Sequence, residues 1–183
     1  MMLGIVNLLK PPGITSNHTL VQFRRATGEK HSGFAGTLDP EAAGVLPVLV
    51  GKAARLADFL PDYKEYIAEI TFGFITDTQD CEGRVLARSG VFPSESQLKE
   101  VLCGFIGELA QIPPAYSAIK RGGVPSYKLA RRGEIVTPEP RKVKIFKLEY
   151  LDRTGEQSYL IKIACSKGTY IRTLCTQIGQ RLG

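Results

Sequence analysis

Residues 159–178 read YLIKIACSKGTYIRTLCTQI, and the change of period inside them decides the class of fold. Tyr159, Ile161, Ile163 and Cys165 alternate with their neighbours, polar Lys162 among them, which is the period of a half-buried strand. Ser166-Lys167-Gly168 breaks the pattern. Ile171, Leu174, Cys175 and Ile178 then return at the three-and-four spacing of a helix with one apolar face. Working outward, Lys144 to Tyr150 reads as a second strand. Tyr66 to Phe72 reads as a third, with Tyr66, Ala68, Ile70 and Phe72 on one side and Ile67, Glu69 and Thr71 on the other. Met2 to Leu9 is an apolar strand stopped by Lys10-Pro11-Pro12-Gly13, where two prolines and a glycine forbid continuation. Thr15 and Ser16 can cap a helix reaching Arg24, with Leu20, Val21 and Phe23 inward. The clearest helix begins at Ser94, where Gln97 completes a capping box and Leu98, Val101, Leu102, Phe105 and Ile106 form the face.

Strands outnumber helices and no regular βαβ alternation appears, so the expected class is α+β, with a mainly antiparallel sheet flanked by helices. Ile112 to Arg141 fits neither period. Rich in proline, glycine and basic residues, it reads as an irregular excursion from the body.

A chain of 183 residues with 43% apolar content can build one ordinary domain. Its longest uncharged apolar stretch, Ala42 to Val50, is about half of what a bilayer span needs. We therefore expect no membrane-spanning helix, no signal peptide and a cytoplasmic location. Four cysteines without a CxxC pair and two histidines suggest neither a zinc site nor a disulfide framework, so no metal is expected. The net charge of +6 sits in the last quarter, where residues 141–183 hold nine Lys/Arg against three Asp/Glu. A second, acid-free cluster comprises Lys120, Arg121, Lys128, Arg131 and Arg132. Charge by itself reads as a solvated face, but two such regions can also form one phosphate-facing surface.

The most unusual segment is GFAGTLDPEAAGVLP, residues 33–47. Gly33 and Gly36 permit positive φ, and Pro40 pushes Asp39 out of the α region, so a lone carboxylate is presented on a stiff loop. An isolated Asp-Pro more often just makes a turn. Neither the dinucleotide fingerprint nor the P-loop pattern is matched.

Several segments together resemble one family. GIVNLLKPPG (4–13), the 36–44 loop, Tyr66, Thr76-Asp77-Thr78 with Asp80, IPPAYSAIK (112–120), Tyr127 to Arg131 and CSKGTYIRT (165–173) follow the order found in the TruB-type tRNA pseudouridine synthases. The resemblance covers the whole chain. It implies a single pseudouridine synthase domain over residues 1–183 with a thumb-like RNA-binding insertion at about 114–142. The activity it implies is cofactor-free isomerisation of the uridine at position 55, in the T loop of tRNA, by a monomer.

By the same resemblance Asp39 is the catalytic carboxylate, attacking C1′ or removing the 2′ proton, alternatives that the residues leave open. Arg172 is implied as the cation that keeps it ionised. A position about 100° from the apolar stripe suits it for that. Tyr66 is implied to stack on the extruded base and assist proton removal from C5. Lys10, Asp80 and Tyr170 are implied as structural or substrate-orienting residues. The basic cluster is implied to hold phosphates while the base is flipped out.

Three departures stand out. Phe34 replaces the histidine of the family's G-H-T-G and is expected to touch affinity or loop conformation more than chemistry. Ile75 stands where an arginine usually precedes T-D-T. The sequence stops at Gly183, where the family normally continues through another strand and an optional RNA-binding domain, so a truncated C-terminal end without that accessory domain is expected. A second reading follows from these, a tRNA-binding or tRNA-folding module with impaired catalysis. A synthase working in a guide-RNA complex is a third.

Overall fold

The proline-stopped apolar run is a strand, β1 (Gly4–Lys10), and it leads into α1 (Ser16–Thr27). The structure is a computed structural model that describes residues 2–117, 119–130, 132, 134 and 138–183. Two compact units divide it, one ending at Pro61 and the other beginning at Asp62.

In the first unit Thr15 caps α1, its hydroxyl accepting the His18 N–H at 3.1 Å. The helix runs past Arg24 to Thr27 because Gly28, at φ +75°, closes it in the left-handed conformation that glycine adopts without strain. Next come β2 (Ser32–Phe34) and β3 (Gly44–Val50), in an antiparallel sheet of order β1-β3-β2. A proline ordinarily argues against a central strand, which hides β3 in the sequence. Here Pro47 carries its carbonyl toward Ala35, whose N–H bonds it at 3.0 Å. Its nitrogen faces the same side and cannot donate back to Ala35, so the β2-β3 ladder closes there while the pairing with β1 continues through Asn7. Leu20 and Phe23 pack on Val48 and Val50, with Val6, Leu8 and Phe34 at the margin. A 3-10 helix, Gly51–Phe59, follows.

The second unit contains β4 (Lys64–Thr71), β5 (Phe74–Thr76), β6 (Val85–Arg88), α2 (Glu95–Cys103) and β7 (Gly107–Gln111). It continues with β8 (Lys120–Arg121), β9 (Val124–Pro125), α3 (Ser126–Ala130), β10 (Arg141–Arg153), β11 (Ser158–Cys165) and α4 (Ile171–Leu182). Its main sheet is antiparallel throughout, in the order β4-β11-β10-β7. Ile145, Ile161, Ile163 and Cys165 are fully buried against Leu98 and Leu102 of α2 and Leu174 and Ile178 of α4. Each such side chain contributes about 1.5–3 kcal/mol of transfer free energy. The architecture is the α+β class read from the sequence.

Local details differ from expectation. Gly104 ends α2, so Phe105 is buried from beyond the helix while Ile106, expected on its face, is 50% exposed. The strand expected over 144–150 runs from Arg141 to Arg153. Its register shifts at Phe146 and Leu151 break the alternation that would have revealed its length. The excursion at 112–141 is not wholly irregular. It contains the β8-β9 hairpin and α3, and Arg141 is already paired with Gln111. Among the described residues no helix is long and apolar enough to cross a membrane.

Candidate active site

Asp39 stands exposed in the loop that links β2 to β3. The backbone that carries it is tied on both sides. Upstream, the Ser16 hydroxyl donates to the Leu38 carbonyl at 2.9 Å and accepts the Leu38 N–H at 3.0 Å. Downstream, the Pro40 carbonyl accepts from the Gly13 N–H at 3.0 Å and from Lys10 Nζ at 2.8 Å. The Ala42 N–H closes a turn onto the Asp39 carbonyl at 3.1 Å.

Lys10, expected as a structural or substrate-orienting residue, is turned into its own unit. Fully buried, it also donates to the carbonyls of Pro11 and Ile14, each at 2.7 Å, so three acceptors inside the unit engage its ammonium. Burial lowers its pKa, and the carboxylates of Glu41 and Asp39 oppose that shift. Phe34 is half-buried against the α1-β3 core, with part of its ring turned inward.

The second unit positions the other named residues. Arg172, in the first turn of α4, donates to the Thr78 carbonyl at 2.8 Å, to Asp80 Oδ2 at 3.2 Å and to the Tyr116 carbonyl at 3.1 Å. The pair is well shielded, with 14% of the Arg172 side chain and 27% of the Asp80 side chain exposed. Asp80 is itself oriented, since Oδ1 accepts from the Thr78 hydroxyl and from the Glu82 N–H. This turn requires glycine at Gly83, where a Cβ would stand 2.2 Å from Thr78 Oγ1 and 2.7 Å from Asp77 Oδ1. Tyr66 is half-buried on β4, opposite Ile163, on the same side as Ile70.

Tyr170 caps α4 through its main chain. Its N–H donates to Gln111 Oε1 at 3.0 Å and its carbonyl accepts from Gln111 Nε2 at 3.3 Å. Ser16, Gln111 and Gly83 were missed as site residues because the sequence does not show what a buried hydroxyl, amide or absent Cβ will meet. The nearest signals were Gln111 beside the IPPAYSAIK run and Gly83 three residues after Asp80.

Of the basic cluster, Lys120 and Arg121 form β8, which turns through Gly122 and Gly123, both at positive φ, into β9. Lys128 lies on α3, Arg132 is exposed just after it, and Arg131 lies outside the described residues. Burial drives the Cys175 thiol up to about 12 and raises that of Cys165, so neither supplies a thiolate near neutral pH. Among the described residues no group of three or more His, Cys, Asp or Glu is gathered to hold a metal ion.

A family model described as "TruB family pseudouridylate synthase (N terminal domain)" matches residues 24–171. The tRNA pseudouridine synthase B of Alkaliphilus oremlandii is 45% identical over 183 residues, 100% of this chain and 61% of its own length. That of Stutzerimonas stutzeri is 47% identical over 181 residues, 98% of this chain and 59% of its own. The chain thus spans about three fifths of these relatives. Among solved structures, a chain of a Cbf5-Nop10-Gar1 complex superposes with a TM-score of 0.73 at 32% identity, covering 99% of this chain and 45% of that one. A chain of an H/ACA ribonucleoprotein bound to a substrate RNA containing 2′-deoxyuridine gives 0.70 at 29% identity, covering 99% and 43%.

Proposed function

This chain belongs to the TruB family of pseudouridylate synthases, and on that footing we propose that it converts uridine to pseudouridine in the T loop of tRNA, with Asp39 meeting the ribose. The observation that carries the reading is the exposed Asp39 carboxylate on a loop braced on both sides of it. In the reaction the N1 to C1′ bond breaks, the uracil turns, C5 bonds to C1′, the C5 proton leaves and N1 gains one. Atoms and electrons balance without an oxidant or reductant. Asp39 acts as nucleophile at C1′ or as base at the 2′ carbon, and both roles need it ionised.

Arg172, aligned by Asp80, is assigned to stabilise that negative charge, and Tyr66 to stack on the uracil and take part in proton removal from C5. Lys120, Arg121, Lys128, Arg131 and Arg132 are assigned to RNA phosphates, whose binding offsets the few kcal/mol of unstacking. The protein is proposed to act in the cytoplasm as a monomer, without cofactor or metal. Incubation with T-arm RNA followed by carbodiimide mapping of pseudouridine tests the reading. Asp39→Asn should lower the rate at least a hundredfold, about what loss of a general base costs. Undiminished product from that variant overturns it.

One observation favours a second reading, that of a tRNA-binding module. Phe34 is partly turned into the core of its unit, where family members carry a histidine. That reading predicts salt-sensitive tRNA binding with no pseudouridine formed.

A further inference from the structure

Ser16 is almost completely buried, at 2% exposure, yet the start of α1 does not use its hydroxyl, because Thr15 already caps the helix. The hydroxyl instead crosses to the loop and engages both polar groups of Leu38, the residue immediately before Asp39. A hydroxyl can donate to a carbonyl and accept from an N–H of the same residue at once. That two-way bond fixes the rotation of the peptide chain entering Asp39, while Lys10 and Gly13 hold the carbonyl that follows it.

We propose that Ser16 is a positioning residue for the isomerisation, holding the backbone before Asp39 so that the carboxylate meets the ribose in attack geometry. The inference rests on the assignment of Asp39 made above. Ser16 acts through Leu38. Misplacement of a reacting group by about 1 Å can cost a hundredfold in rate.

Ser16→Ala removes both bonds and should lower kcat on T-arm RNA by about ten- to a hundredfold. KM should move less than about threefold, since phosphate contacts are untouched. Ser16→Thr keeps the hydroxyl and should recover most of kcat. Thr15→Ala is the control for stability, since it removes the helix cap, lowers Tm and should leave kcat near wild type. Amide hydrogen exchange gives a readout independent of turnover, with protection at Leu38 lost in Ser16→Ala and regained in Ser16→Thr.

Wild-type kcat in Ser16→Ala, equal kcat losses in Ser16→Ala and Thr15→Ala at matched Tm, or unchanged Leu38 protection would each overturn the proposal. Asp39→Asn run in parallel separates the two claims. If that variant still makes product, the Asp39 assignment fails. If it is inactive while Ser16→Ala is unimpaired, the positioning role alone fails.

Discussion

Arg172 shows how one residue can be partly legible in a sequence. Helical spacing placed it on the flank of α4, and there it lies, but its acceptors could not be read from spacing. They include the main-chain carbonyls of Thr78 and Tyr116 and the carboxylate of Asp80. A guanidinium serves divergent acceptors from one rigid plane, which an ammonium cannot do. Arg172→Ala and Arg172→Lys should therefore both lower kcat on T-arm RNA by at least about thirtyfold, with tRNA affinity changed less than about threefold. Asp80→Asn, which weakens the alignment and leaves a shielded cation less well paired, should reduce kcat less severely and lower stability by about 1–3 kcal/mol. Steady-state kinetics beside filter binding decide the matter, and equal losses in kcat and affinity would reassign Arg172 to a phosphate contact. Lys10 is the opposite case. Its motif position left a structural and a substrate-orienting role open, and burial has folded it inward onto carbonyls.

Among the elements, α2, β11 and α4 were legible because their signals are local, a capping box at Ser94 and a clean switch of period around Ser166. β3 was hidden by Pro47, β10 was shortened by its register shifts, and the two-stranded ribbons are too short to carry a period. What no local pattern reveals is how α4 is seated. Gln111 at the end of β7 supplies both amide groups to Tyr170, and at 1% exposure water cannot take its place. Gln111→Leu keeps the volume but leaves the Tyr170 N–H without that acceptor, while the Tyr170 carbonyl retains the Leu174 N–H. An unsatisfied buried donor costs about 1–3 kcal/mol, so urea unfolding should give a midpoint lowered in proportion with an unchanged slope. Faster exchange of the first-turn amides of α4 should accompany it. A variant as stable as wild type would mean that the helix start is held by packing on Leu174 and Ile178 alone.

At the scale of the whole molecule, the charge excess of residues 141–183 is less available than its count implies. Lys147 faces Glu149 at 2.8 Å, Lys162 faces Glu65 at 3.2 Å, and Arg172 faces Asp80. Arg153 donates to the carbonyls of Gly155 and Glu156. The two exposed lysine pairs contribute little to stability, yet each carboxylate nearby weakens the field that a polyanion feels. Lys120, Arg121 and Lys128, proposed above as phosphate ligands, belong to a stretch with no acid, although the sequence places the net charge elsewhere. Replacing all three by glutamine should weaken tRNA binding and make the slope of log K against log salt shallower by about two, each lost phosphate contact removing about 0.7–0.9. Turnover at saturating RNA should be preserved, because these residues are assigned to binding and not to the ribose chemistry. Lys147→Gln with Lys162→Gln should leave the slope nearly unchanged. If the second pair alters the slope more than the first three, the RNA track follows the main sheet, and the 112–141 segment is a solvated excursion.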